Sequence, residues 1–329
     1  MSKTPVLVTG GAGYIGSHAV LALKDAGWSV AVIDDLSNGT REVVPDGVPF
    51  FASSVADREL VGRILAEQQI GAIMHFAGSI VVPESVEKPL DYYSNNTLAS
   101  HALLTSAVAA GVKHFVFSST AAVYGAPERV PIEEGDPKQP VNPYGASKLM
   151  TERMLADASA AYPFNYGALR YFNVAGADPQ GRAGQIGKGS THLIKVAVEA
   201  AAGKRDHVDV FGTDYPTSDG TCVRDYIHVS DLAAAHVAAL ERLALRPGED
   251  FVLNCGYGTG LSVLEVLDAV DRANGAPLRR QIGPRRAGDP PQLVAANRAL
   301  LETLDWRPAY ADIDTIVAHA LAWERTLPT

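Results

Sequence analysis

Through the first 175 residues, short apolar and β-branched runs alternate with longer stretches whose apolar positions recur at helical spacing. Residues 5–9 (PVLVT), 29–34 (SVAVID), 48–52, 72–77 (AIMHFA), 114–118 (HFVFS) and 166–173 read as strands. Residues 15–26, 57–69, 90–110 and 144–161 read as helices, the second with Leu60, Ile64 and Leu65 on its apolar face. Strands that are apolar almost throughout, alternating with amphipathic helices, imply a parallel sheet covered on both faces. Right-handed crossovers then make a doubly wound α/β sheet the economical topology.

Beyond residue 175 the pattern changes. Residues 176–189 (GADPQGRAGQIGKG) hold five glycines and no apolar period, the texture of a long functional loop. Helices are then expected at 192–202, 231–243, 263–274 and 312–323, with a strand at 208–211. This suggests two units, residues 1–175 and a smaller C-terminal α/β substrate domain at 176–329, with some segments of the second packing back on the first. No internal repeat is visible.

Composition narrows the classes. At 47% apolar and 20% charged, the 329 residues are rich enough in core formers to exclude global disorder. No run of about 18 apolar residues that would span a membrane occurs. The net charge of −9 argues against a general grip on nucleic acid or an anionic membrane, so any phosphorylated ligand must be held by local amides and a few arginines. The two cysteines, Cys222 and Cys255, are far apart and suggest neither a disulfide framework nor a zinc site. No His-Glu-x-x-His occurs, and no metal is expected. Residues 1–7 run directly into a strand with no basic, long-apolar leader, so a soluble cytoplasmic protein is expected.

Candidate chemistry begins at the first strand. Val6-Leu-Val-Thr-Gly10-Gly-Ala-Gly13-Tyr14-Ile15-Gly16 is a strand, a glycine turn and a helix start. Gly10 permits a tight turn, Gly13 a close approach of a pyrophosphate, and Gly16 close helix packing, while the helix N-terminus offers N–H groups and positive potential. Asp34 ends the second strand 18 residues after Gly16. A carboxylate there accepts from the ribose hydroxyls of NAD and repels the 2′-phosphate of NADP. A second constellation is Tyr144-Gly-Ala-Ser-Lys148, with Tyr144 and Lys148 on one helical face. A nearby ammonium favours phenolate and lowers the Tyr pKa, making the pair a base for a hydroxyl that is losing hydride. It opens the helix after strand 114–118, whose end carries Ser118-Ser119-Thr120, placing the Thr120 hydroxyl beside it at the cofactor crevice.

Thr9 to Gly16, His75-Phe-Ala-Gly78, Tyr144-xxx-Lys148 and Tyr171-Phe-Asn173 together resemble the extended short-chain dehydrogenase/reductase family, with its Rossmann-like sheet. Ser118-Ser-Thr-Ala-Ala-Val-Tyr-Gly125, residues 220–229 (GTCVRDYIHV) and residues 284–289 (PRRAGD) are similar, more narrowly, to its UDP-sugar 4-epimerases. The resemblance covers nearly the whole chain. It implies interconversion of UDP-glucose and UDP-galactose: NAD takes the C4 hydride, the ketose turns over, and the hydride returns to its other face. Tyr144 would move the proton, Lys148 would tune it and hold the nicotinamide ribose, and Thr120 would assist. The same carry-over puts Tyr14 and Ile15 at the pyrophosphate and Asp34, Asp35 and Asn38 at the adenosine ribose. Ser54 and Val55 would lie on the adenine side, Phe76, Ala77 and Asn95 along the cofactor, and Tyr171 and Phe172 at the nicotinamide and sugar. Asn173, His192, Leu193, Arg224, Arg286, Asp289 and Leu293 would line the UDP-hexose, and a homodimer through helices 90–110 and 144–161 is expected.

The chain departs from the family pattern at named positions. Ile80 stands where many members have a cofactor-binding Lys, Ser54 where an adenine-side Asp is common, Thr120 for a frequent Ser, and His192 for a diphosphate-contacting Asn. Leu293 occupies the position that gates pocket size; it lacks a Tyr ring and hydroxyl, which leaves N-acetylated sugars open. A dehydratase would need an acid/base pair where Ala121-Ala122 follow Thr120, and neither can move a proton. A 4-epimerase of another UDP sugar and a non-catalytic NAD-binding protein are the remaining alternatives.

Overall fold

The structure, a computed structural model, describes residues 3–186, 190–286 and 289–328. Seven strands form the main sheet: β1 (Val6–Thr9), β2 (Val30–Asp34), β3 (Phe50–Ala52), β4 (Ala72–His75), β5 (His114–Thr120), β6 (Asn165–Tyr171) and, from much later in the chain, β10 (Phe251–Cys255). They are parallel throughout, in the order β10-β6-β5-β4-β1-β2-β3. The intervening strands β7 (Asn173–Ala175), β8 (Val208–Phe211) and β9 (Val223–His228), with β11 (Gly260–Ser262), β12 (Arg280–Gly283) and β13 (Gln292–Leu293), build two small sheets.

The helices are α1 (Tyr14–Asp25), α2 (Arg58–Glu67), α3 (Val82–Glu87), α4 (Pro89–Tyr92), α5 (Ala99–Ala109), α6 (Pro143–Ala161), α7 (Leu193–Ala201), α8 (Val229–Leu245), α9 (Val263–Asn274), α10 (Arg298–Thr303) and α11 (Ile313–Glu324). Strand alternation sorts the core into two layers. Val6, Val8, Val32 and Val116 pack with Leu23 of α1 and Leu240 of α8, whereas Leu7, Ile33, Phe115 and Phe117 pack with Ile64 of α2, Leu103 of α5 and Leu155 of α6. A third core joins α7, α9 and α11 over Val208 and Val210. Local chemistry sets the helix starts: the Asn142 side chain accepts from Gly145 N–H to open α6, and Ser262 and Glu265 form a reciprocal capping box on α9.

The doubly wound expectation holds, with three boundary corrections. Strand 114–118 continues to Thr120. The run 166–173 is two strands, β6 in the large sheet and β7 in the small one, broken at Phe172. The helix expected over 90–110 is α4, a π-helical turn at Tyr93–Leu98, and α5. Inside that turn Asn96 is buried and bonded to neighbouring segments, the kind of demand that widens a helix locally. From beyond residue 175, α8 and β10 pack on α1 and β6 of the main sheet. In the glycine-rich loop, residues 187–189 lie outside the described residues; before them Ala177 bridges Gly184 and Arg182 pairs with Asp178. Among the described residues no helix is long and apolar enough to cross a membrane.

Candidate active site

The strand order reverses between β1 and β4, and the crevice at their carboxyl ends is where such sheets bind ligands. Gly10 there has φ +68°, and a Cβ on it would lie 2.6 Å from the Ala77 nitrogen. A Cβ on Gly16 would sit 2.1 Å from the Gly10 carbonyl oxygen, so α1 lies directly on the turn. Gly13 caps α1 without any side-chain bond, and the first turn carries no acidic residue. The first intrahelical bond runs from Ser17 N–H to Gly13 O, so helix geometry leaves the N–H groups of Tyr14, Ile15 and Gly16 for a ligand. A pyrophosphate fits this cradle. The Tyr14 hydroxyl itself is occupied elsewhere, donating to Gly176 O at 2.8 Å.

Asp34 does more than end a strand. Its Oδ2 accepts from Ala12 N–H at 2.9 Å and its Oδ1 from Leu36 N–H at 2.8 Å, tying the glycine turn to a loop in which Leu36 holds φ +60°. Burial pushes its pKa up, and the two N–H groups pull it back. Asp35 accepts from the Ser37 backbone and hydroxyl, and Asn38 is exposed beside it. Ser54 accepts from Ala56 N–H at 3.2 Å, and Val55 is buried against the α2 layer. Phe76 and Ala77 follow β4, the Phe76 ring 4.8 Å from the buried His236 ring. Asn95 is exposed and donates to Ser79 Oγ; its neighbour Asn96, unremarked in the sequence, holds Ser79 by both N–H and C=O and also donates to Ser147 Oγ.

The expected proton-transfer residues assemble where α6 meets the end of β5. Pro143 at the first helical position and the Asn142 cap fix the helix start, and a Cβ on Gly145 would come within 2.5 Å of the Ala122 carbonyl oxygen. That contact seats the start of α6 on the turn after Thr120, where Tyr144 lies beside the Thr120 hydroxyl, which accepts from Ala122 N–H at 3.1 Å. Lys148 is buried one turn on, its Nζ donating to Ser118 O at 3.0 Å over the face of Phe117. Ser118 Oγ in turn meets the Tyr171 hydroxyl. One expectation is corrected. The Tyr144 phenol is raised above its ordinary value because burial outweighs the pull of the neighbouring Thr120 hydroxyl, and Lys148 does not lower it here. The ammonium is itself destabilised by burial, to a pKa of about 8.

The expected nucleotide contacts fall on the smaller sheets or on segments next to them. Arg224 on β9 donates to Asp289 Oδ1 at 2.7 Å, and Leu293 on β13 pairs with Arg224 across the sheet. Leu293 and Phe172 pack on Ala121, Val123, Tyr124 and Ile132, directly after Thr120. Asn173 opens β7 in register with Tyr226, and His192 caps α7 just before Leu193. Arg286 is exposed and stacks over the Phe211 ring at 4.0 Å. Ala287 and Gly288 of the 284–289 motif lie outside the described residues.

A family model described as the NAD dependent epimerase/dehydratase family matches residues 6–256, the whole main sheet and its crevice. The chain belongs to that family. The UDP-glucose 4-epimerase of Azospirillum brasilense is 57% identical over 322 residues, 98% of this chain and 92% of the relative. Among solved structures, UDP-glucose 4-epimerase from Brucella ovis in complex with NAD superposes with a TM-score of 0.95 at 42% identity, covering 98% of both chains. The enzyme from Bifidobacterium longum in complex with NAD+ and UDP gives 0.93 at 39% identity, again over 98% of both.

Proposed function

We propose that this chain is an NAD-dependent UDP-glucose 4-epimerase, interconverting UDP-glucose and UDP-galactose. One observation carries the chemistry: Thr120, Tyr144 and Lys148 meet at the end of β5, in the crevice opened by the glycine turn. NAD, when bound, supplies a reversible hydride acceptor at the sugar C4. Tyr144 takes the C4 hydroxyl proton, with Thr120 hydrogen-bonded to the same oxygen, and returns it once the ring has presented its other face. Lys148, buried one turn along α6 from Tyr144 and donating to Ser118 O, holds the nicotinamide ribose beside the phenol. Tyr14, Ile15 and Gly16 bind the pyrophosphate through their N–H groups, and Asp34 with Asp35 and Asn38 takes the adenosine ribose. Arg224, Arg286 and the start of α7 anchor the UDP diphosphate, since guanidinium forks match phosphate geometry.

Residues 1–175, joined by α8 and β10, hold the dinucleotide, and the rest of 176–329 holds the UDP-sugar. A second copy of the chain covers the exposed Val86, Leu90, Leu98 and Met150, carried by α3, α4, the π-helical turn and α6. Light scattering on the purified chain tests that dimer. A second reading of the substrate rests on Leu293, whose side chain leaves room that a Tyr would fill. The deciding experiment incubates purified protein with UDP-galactose, then with UDP-N-acetylgalactosamine, UDP-uronates and UDP-pentoses. The expected result is co-purified NAD and UDP-glucose formed with no net NADH. Turnover of the other sugars alone would reassign the substrate.

A further inference from the structure

Beneath the catalytic group lies a second buried constellation that the reaction itself does not use. Tyr144, Lys148 and Glu152 follow one another at four-residue spacing and so share one face of α6. The first two face the crevice, and Glu152 points down into the sheet, 5% exposed. Its Oε1 accepts from Ser119 Oγ at 2.5 Å and from Arg170 Nε at 2.9 Å, and its Oε2 accepts from Arg170 Nη2. Ser119 is the residue before Thr120, and Arg170 is the residue before Tyr171; the two are direct partners across β5 and β6. Arg170 continues outward, its Nη1 donating to the Tyr124 hydroxyl at 2.8 Å, and Tyr124 donates to Asn254 Oδ1 of β10. Asn254 holds Ile132 O, and Ile132 hydrogen-bonds Val294 O and Ala296 N–H on either side of Ala295, two residues after Leu293.

We infer that the buried Glu152–Arg170 pair is a positioning element for the reaction proposed above, fixing Thr120 through Ser119 and the Tyr144–Lys148 face through α6. Two charges out of water are costly, and a well-packed apolar pair of the same volume is often at least as stable, so stability alone is a poor reason for the pair. What an ion pair with a bidentate fork supplies is geometry: each bond fixes a direction as well as a distance. Here one carboxylate ties a helix to two strands at the three positions adjoining Thr120, Lys148 and Tyr171. Proton transfer tolerates little error in that arrangement, since displacement by about 1 Å can cost on the order of a hundredfold in rate.

Ser119→Val and Ser119→Thr separate positioning from packing, because the two side chains have the same shape and only Thr keeps the hydroxyl to Glu152. Turnover of UDP-galactose, KM and co-purified NAD are measured for both beside the unaltered protein. Ser119→Val is expected to lose kcat by about tenfold or more, with KM within about twofold and NAD retained, and Ser119→Thr to recover most of the rate. Equal rates for Val and Thr, or a loss that follows NAD content, overturn the inference. Should Ser119→Val fail to fold, Tyr124→Phe cuts the Arg170–Tyr124–Asn254 link without added volume or a stranded charge. A kcat several-fold lower at unchanged KM supports the positioning role, and an unchanged kcat refutes it. An unaltered protein that turns over no UDP-hexose refutes the reaction itself, a result distinct from either variant outcome, and the positioning role falls with it.

Discussion

Asp34→Asn is the sharpest perturbation of the cofactor side. Each carboxylate oxygen accepts one backbone N–H, from Ala12 in the glycine turn and from Leu36 in the left-handed conformation. An asparagine has one oxygen, so either orientation restores one bond and sets an NH2 group against the other N–H. Hydrogen bonds to charged groups contribute roughly 1.5–3 kcal/mol, and the replacement also weakens the bond it keeps, so a loss of about 2–3 kcal/mol is expected. If that loss falls on the turn, NAD affinity drops roughly 30- to 140-fold, at about 1.4 kcal/mol per decade. If it falls on the fold, the melting temperature drops by roughly 5 °C. Removing the charge also removes the repulsion toward a 2′-phosphate, so the preference for NAD over NADP narrows. Dinucleotide content after purification, titration with both cofactors, and thermal unfolding read all three effects. Stoichiometric NAD, an unshifted melting temperature and no gain in NADP binding together would refute the role given to Asp34.

Tyr144→Phe removes the proton carrier and leaves the helix start, its cap and the Gly145–Ala122 contact in place; kcat should fall by about 10²- to 10⁴-fold with NAD still bound. An undiminished rate in the coupled assay would exclude Tyr144. Leu293→Tyr fills space beside Phe172 and should lower turnover of UDP-N-acetylgalactosamine relative to UDP-galactose, whereas equal effects on both would show that Leu293 sets no size limit. Burial lowers the Lys148 pKa from 10.5 to about 8, so between those values the unfolded chain binds a proton that the folded chain does not. Stability of the dinucleotide-free protein therefore rises with pH across that window, and below it the burial penalty, about 3 kcal/mol, is fully present. Lys148→Met should then be more stable than the parent at pH 7, with the gap closing toward pH 10; a pH-independent gap in urea unfolding would contradict the burial argument.

What the sequence disclosed was set by range. The glycine turn, Asp34 at the end of the next strand, and the four-residue spacing of Tyr144 and Lys148 are local patterns, and local geometry alone fixes what they face. The seventh strand was invisible because Phe251–Cys255 is five residues whose partner, β6, lies some eighty positions earlier. The break at Phe172 was hidden for a related reason: β6 and β7 share one apolar run, and only tertiary pairing with β9 assigns Asn173–Ala175 to another sheet. The lowered Tyr144 pKa read from the Lys spacing failed on energetics, since spacing reports proximity and carries no measure of desolvation, which dominates both groups. Glu152 was within reach of the same spacing argument, one further turn along the face, but nothing local marks Arg170 as its partner.

The two sides of the site differ in how firmly they are built, and the proposed chemistry requires the difference. The acid–base side is buried and cross-tied: Lys148 to Ser118, Ser118 to Tyr171, and Ser119 and Arg170 to Glu152. On the proposed nucleotide side Arg286 and His192 are exposed, and Arg224 pairs with Asp289. A 4-epimerase must hold one carbon within reach of a fixed hydroxyl twice, from opposite faces, while the ring itself turns over. Rigid walls around the ring would bind one epimer and stop there. In the proposed reaction, a diphosphate anchored at the rim, against a proton-transfer group that does not move, would let the same Tyr144 serve both faces, so that one such residue suffices.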